Sequence, residues 1–161
     1  MDLNISGLLL PPDFGETPEA ILQRLGWTAA FVREVSLKKA IAGWDEEVTY
    51  ADFVRGKAGT LILVNELDEL PTAVFNDGTG FSFSLSETAN IHLFTHYAAG
   101  AKQRERMTSE NAVLLDRGTP LPLELAAGGA KETILAELAA LLGRPLRELD
   151  PMTRCLRYRL D

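Results

Sequence analysis

Apolar and polar positions along this chain change period several times, and each change marks an element. Leu3 to Leu10 is a short apolar run that stops at Pro11-Pro12, which predicts a buried strand. Thr17-Pro18-Glu19 then predicts a helix start. Thr17 can cap the free amides, Pro18 needs no amide partner at the first helical position, and Glu19 suits the positive dipole end. Ile21, Leu22 and Leu25 share one helical face, and Gly26 can close the helix in a left-handed conformation. Thr28 to Val35 alternates as a strand. Ser36 then caps a second short helix with Leu37, Ile41 and Trp44 at helical spacing. A third, one-turn helix is expected from Thr49, with Asp52 at the capping-box position and Tyr50, Phe53 and Val54 as its apolar side.

From Gly59 the period shortens. Thr60 to Val64 and Thr72 to Phe75 are β-rich apolar runs, and Asn76-Asp77-Gly78-Thr79-Gly80 is expected to be a hairpin turn. Phe81-Ser82-Phe83-Ser84-Leu85 alternates strictly, as a half-buried antiparallel strand does. Ile91 to Tyr97 fits a strand and also a helix capped by Ser86. Flanking strands and Gly100 favour the strand. Lys102 to Thr108 and Val113 to Asp116 continue the sheet, and Arg117-Gly118 turns into Pro120 to Glu124. Ala126 to Ala130 is small and flexible. Ile134, Leu135, Leu138, Leu141 and Leu142 form a helical stripe stopped by Gly143 and Pro145. Leu156, Tyr158 and Leu160 alternate with Arg157 and Arg159 in an expected edge strand. The fold class predicted is α+β over residues 1–161, a single-layer, mostly antiparallel sheet packed by helices near both ends of the chain.

Charge adds a direction to this picture. The formal net charge is −7, but residues 1–100 carry 6 basic and 14 acidic side chains (net −8), while 101–161 carry 10 basic and 9 acidic (net +1). A net anion is repelled by phosphate, which argues against a general nucleic-acid binder. Cys155 is the only cysteine, so no intramolecular disulfide forms. The first ten residues have Asp2 where a signal peptide would carry a cation, and no apolar stretch is long enough to span a bilayer. Cytoplasmic location is the expectation.

Candidate chemistry is sparse. His92 and His96 share a strand face about 13 Å apart, too far for one metal, and Leu93 stands where a zinc-peptidase motif needs Glu. They remain the alternative site, for a small-molecule-binding or hydrolytic enzyme. Acidic clusters at Asp45, Glu46, Glu47 and at Glu66, Asp68, Glu69 offer a surface for a basic protein partner. Lys102, Arg104 and Arg106 on one strand face, with Arg157 and Arg159 on another, make an alternative anion or RNA patch, or simply protect sheet edges. Cys155 beside Arg154 has no base assigned to it, and no serine sits in a nucleophile elbow. No metal site, cofactor or catalytic set is expected.

The segment Gly59–Glu124, with its strand order and its Gly118-Thr119-Pro120-Leu121-Pro122-Leu123-Glu124 ending, resembles small bacterial α+β domains, some similar to immunity proteins of toxin systems. That resemblance implies a bacterial cytosolic protein and carries no catalytic residues. The expectation is a non-enzymatic protein-binding domain with an acidic surface. Its partner would be a basic protein, a homodimer stays open, and no membrane is involved.

Overall fold

The computed structural model describes residues 2–42, 47–110 and 112–161. Strand β1 (Asn4–Leu10) leads through a 3-10 turn at Pro12–Phe14 to helix α1 (Pro18–Leu25), β2 (Ala29–Ser36) and α2 (Leu37–Ala42). Then follow β3 (Tyr50–Gly56), β4 (Gly59–Val64), β5 (Thr79–Ser86), β6 (Ile91–Ala98), β7 (Ala101–Ser109) and β8 (Ala112–Gly118). Helices α3 (Pro122–Ala127) and α4 (Ala130–Leu142) precede the last strand, β9 (Arg154–Leu160). Among the described residues the nine strands form one sheet in the order β2-β9-β3-β4-β1-β5-β6-β7-β8. All their pairings are antiparallel. The fold is therefore α+β.

Local signals place the first helices. The Thr17 hydroxyl accepts from the Ala20 amide at 3.1 Å, and Gly26 closes α1 with φ 75°. The Ser36 hydroxyl accepts from Lys39 N at 3.1 Å and caps α2; Trp44 lies outside the described residues. Ile91 to Tyr97 is strand throughout.

The sheet separates two apolar layers. On one face, which we call the inner face, Ile5, Leu9, Leu61, Leu63, Phe81, Phe83 and Phe94 pack under α2 and under Ile134, Leu138 and Leu141 of α4. On the other, outer, face Leu8, Leu10, Ile62, Val64, Phe53 and Tyr158 pack under α1 and the Phe14 and Phe75 rings. The β1 run Leu8-Leu9-Leu10 is wholly buried because its successive side chains feed both layers. Burying each such leucine stabilises by about 1.5–3 kcal/mol.

Four expectations are corrected. The one-turn helix from Thr49 is strand β3, and Asp52 is not a helix cap. It is fully buried and held by Arg157, with Nε to Oδ1 at 2.9 Å and Nη2 to Oδ2 at 2.9 Å. A polar residue in an apolar run looked like a cap because its partner lies 105 positions away. Thr72–Phe75 is a 3-10 turn behind Pro71, not a strand. Its apolar character comes from Phe75, which is buried against Tyr97 at a ring separation of 4.7 Å. The turn Asn76–Gly80 consequently joins that 3-10 turn to β5 and is not a hairpin. Finally, β9 is not an edge: it lies between β2 and β3, and the true edges are β2 and β8.

Candidate functional site

The outer layer leaves the Ser6 end of β1 and much of β5 and β6 uncovered, and there the sheet forms the floor of a cleft of about 380 Å³. Alternation builds that floor. Ser6, Ser84 and Leu93 stand side by side across β1, β5 and β6, and so do Ser82, Thr95 and Glu105 across β5, β6 and β7. The Ser6 hydroxyl donates to Val64 O at 2.5 Å. One wall is the 65–69 part of the loop after β4, with Asn65, Asp68 and Glu69; the other is β7, with Lys102 and Glu105. Asn65 fixes the base of the loop, since its Oδ1 accepts from Tyr50 N at 2.8 Å and its Nδ2 donates to Val48 O at 2.9 Å.

Lys102 reaches this cleft through a bulge. Tyr97 pairs with Lys102 and His96 with Arg104, so Gln103 is an extra residue and the two cations point to opposite faces. The Lys102 ammonium pairs with Glu69 across the cleft and lies 3.6 Å from Glu105. Burial pushes the Tyr97 phenol above its ordinary value, while the Ser82 hydroxyl and Leu70 amide beside its oxygen act the other way. A second cleft of about 430 Å³ lies beyond the same loop, lined by Trp27, Thr49, Glu66, Asp68, Glu69 and Asp161. The exposed carboxylates of Glu66, Asp68 and Glu69 thus stand on a ridge between two hollows.

The other predicted site residues distribute as follows. Glu47 is exposed, and Asp45 and Glu46 lie outside the described residues. His92 and His96 share the inner face of β6 but meet different surroundings. His92 is buried below α4. His96 opens on a shallow groove of about 240 Å³ with Phe81, Leu141 and Glu137 of α4. In that groove burial lowers the His96 pKa and raises that of Glu137, and no hydrogen bond joins them.

The basic stripes do not converge, which corrects their expected shared face. Arg104 is 2% exposed, with Nε to Glu124 Oε1 at 2.9 Å, Nη2 to Oε2 at 2.5 Å and Nη1 to Asp116 Oδ1 at 2.5 Å. Burial pushes the Glu124 carboxyl up, but Arg104, the Leu121 amide and Arg106 together more than offset it and hold the group below its ordinary value. Arg106 joins the same carboxylate at 3.1 Å. Arg157 is sealed on Asp52, and only Arg159 is exposed. Strands β7 and β9 are six steps apart in the sheet, roughly 29 Å at the usual interstrand spacing. Edge protection also falls elsewhere. Edge strand β2 carries a register irregularity beside Arg33 and Glu34, and edge strand β8 has one before Asp116 and Arg117.

Cys155 is fully buried, and desolvation pushes its thiol up to about 12. Among the described residues no group of three or more His, Cys, Asp and Glu side chains is placed to hold a metal ion. No described helix is long and apolar enough to cross a membrane. The floor residues Ser6, Ser82, Ser84 and Thr95 are absent from the sequence-derived site. Their signal was the polar half of the β5 alternation, which reads as ordinary solvated surface until a loop is known to arch over it.

The chain matches no family model, and it shows no significant similarity to a curated protein or to a solved structure.

Proposed function

We propose that this is a non-enzymatic binding protein of the bacterial cytoplasm, comparable in role to immunity-type proteins, that captures a basic protein segment on the ridge formed by Glu66, Asp68 and Glu69. The observation that carries this reading is the ridge itself. Three exposed carboxylates stand between two hollows, on a loop anchored by Asn65 and steadied by the Glu69–Lys102 pair. A basic strand or loop laid across it would place cationic side chains on the ridge and their neighbours in the hollows. Like-charge repulsion would reject acidic partners.

Fluorescence anisotropy with a lysine- and arginine-rich peptide tests this. Wild type is compared with a Glu66→Lys/Asp68→Lys/Glu69→Lys variant and with an Asp13→Lys/Glu34→Lys/Glu148→Lys variant of the same net charge. The ridge variant is expected to lose at least about tenfold in affinity at low salt, and the control much less. Equal losses would show that net charge alone matters, and the ridge reading would then be abandoned.

A second reading rests on the groove at His96. An imidazole and a carboxylate that are both desolvated and face one partly apolar hollow are a small-molecule site in outline. Chemical shifts of the His96 ring during a screen of small amphipathic amines would report occupancy there.

A further inference from the structure

Two buried side-chain nitrogens among the described residues have no hydrogen-bond partner: His92 Nδ1 and Arg106 Nε. They lie under the same junction. His92 pairs with Thr108 and Phe94 with Arg106 across β6 and β7, so His92 and Arg106 are diagonal neighbours on the inner face. Arg106 reaches up to the link between α3 and α4, where its Nη1 donates to Gly128 O at 2.9 Å and to Glu124 Oε2 at 3.1 Å. His92 Nε2 lies 3.3 Å from Asn90 Oδ1, which only accepts. Nε2 therefore carries the single ring proton, and Nδ1 is left as a bare base at 4% residue exposure.

The surroundings offer a second proton no acceptor already in place. Lys131 and Glu132 face His92 from the first turn of α4, Glu87 from the β5–β6 turn and Arg106 from β7. Glu87 is occupied by the Leu3 amide at 2.7 Å, by Lys131 at 2.9 Å and by Arg147. Glu124 is occupied by Arg104 and Arg106. The Glu132 carboxylate lies over Gly129, at the positive end of α4. Gly128, at φ 95°, has open space around it and can absorb rotation between the two helices.

We propose that His92 is a proton sensor beneath the α3–α4 junction, and that uptake of a solvent proton at Nδ1 lifts the first turn of α4 about Gly128 and Gly129. The imidazole becomes imidazolium and no other bond changes. Nδ1–H is then a buried donor beneath the first turn of α4 with no acceptor within hydrogen-bond reach. Opening the junction gives it water, or lets Glu132 swing onto it.

Burial, seconded by the Lys131 ammonium, holds the His92 pKa below its ordinary 6.5, with Glu132 and Glu87 opposing. The sign follows. Above 6.5 the closed and open junctions are both neutral, and below it the open form takes the proton first, so closure weakens as the pH falls.

Amide hydrogen exchange of the full chain, corrected for intrinsic rates, tests this between about pH 7.5 and about pH 5. Protection across Thr133 to Leu135, whose amides are the first bonded ones of α4, is expected to fall about tenfold more than across Leu61 to Val64. The fall should persist in His96→Phe and vanish in His92→Phe, or in His92→Gln if the first variant does not fold. An NMR titration of wild type should place the His92 ring below 6.5. A fall that survives both His92 variants, equal protection at the two pH values, or a His92 pKa at or above 6.5 would overturn the proposal.

Discussion

Removing one member of the Asp52–Arg157 pair leaves the other charged and buried, at a cost of about 3–5 kcal/mol. Arg157→Ala should therefore lower the urea midpoint sharply. Replacing both residues by apolar ones of similar volume should recover much of the loss, because the desolvation of two ions disappears with them. The Arg157 guanidinium also lies 4.6 Å over the Tyr50 ring, so Tyr50→Leu should weaken the same pair more gently. Thr17→Ala removes a cap in the open and should cost only about 1 kcal/mol. A thiol that desolvation pushes up to about 12 is almost wholly protonated at neutral pH. Alkylation of Cys155 should consequently require unfolding, and a rate equal to that of free cysteine in native protein would contradict its burial. Cap and helix residues such as Thr17 and Gly26 were readable from sequence because their partners are three or four positions away. Asp52 was misread because its partner is not.

At the scale of elements, the bulge in β7 decides which face each cation serves. A deletion inside a strand normally turns every following side chain to the opposite face. Gln103 is already the surplus residue opposite β6, so deleting it should leave Lys102 facing the cleft and Arg104 facing Glu124. That variant is expected to fold, with a stability change of about 1 kcal/mol, whereas deletion of Glu105 should abolish folding. Denaturation curves of the two deletions make the comparison. Gly7 shows the same dependence on neighbours. A Cβ there would collide with the Ile62 carbonyl of β4, so Gly7→Ala should destabilise by about 1–3 kcal/mol although β1 is otherwise a regular strand.

For the whole molecule, acid is the condition that tests the balance of charge. The Glu124 and Glu87 carboxyls are held below their ordinary 4.5. For Glu87 the Leu3 amide is the main cause; for Glu124 burial opposes, and Arg104, the Leu121 amide and Arg106 together prevail. Groups with depressed acid pKa values stabilise the fold above the unfolded value and lose that contribution as the pH falls through the folded one. His92 and His96, both lowered by burial, act earlier, from 6.5 downward. The urea midpoint should accordingly be level above about pH 7, decline gently below it and drop steeply below about pH 4.5. A decline that begins only in the carboxylate range would mean that the histidines are solvated in the native state.

Hydrophobic period and local capping, read from the chain alone, determined most of the elements, the α+β class, the Ile91–Tyr97 strand and the position of the acidic loop. Each of those depends on residues within one or two turns, or on alternation along a single strand. Tertiary structure alone decided the strand order, the interior place of β9, the partners of Asp52 and Arg104, and the roofing of the Ser6, Ser82, Ser84 and Thr95 hydroxyls by the loop after β4. Those outcomes depend on which strands become neighbours, and antiparallel pairing joins segments a hundred residues apart through backbone groups that every residue shares.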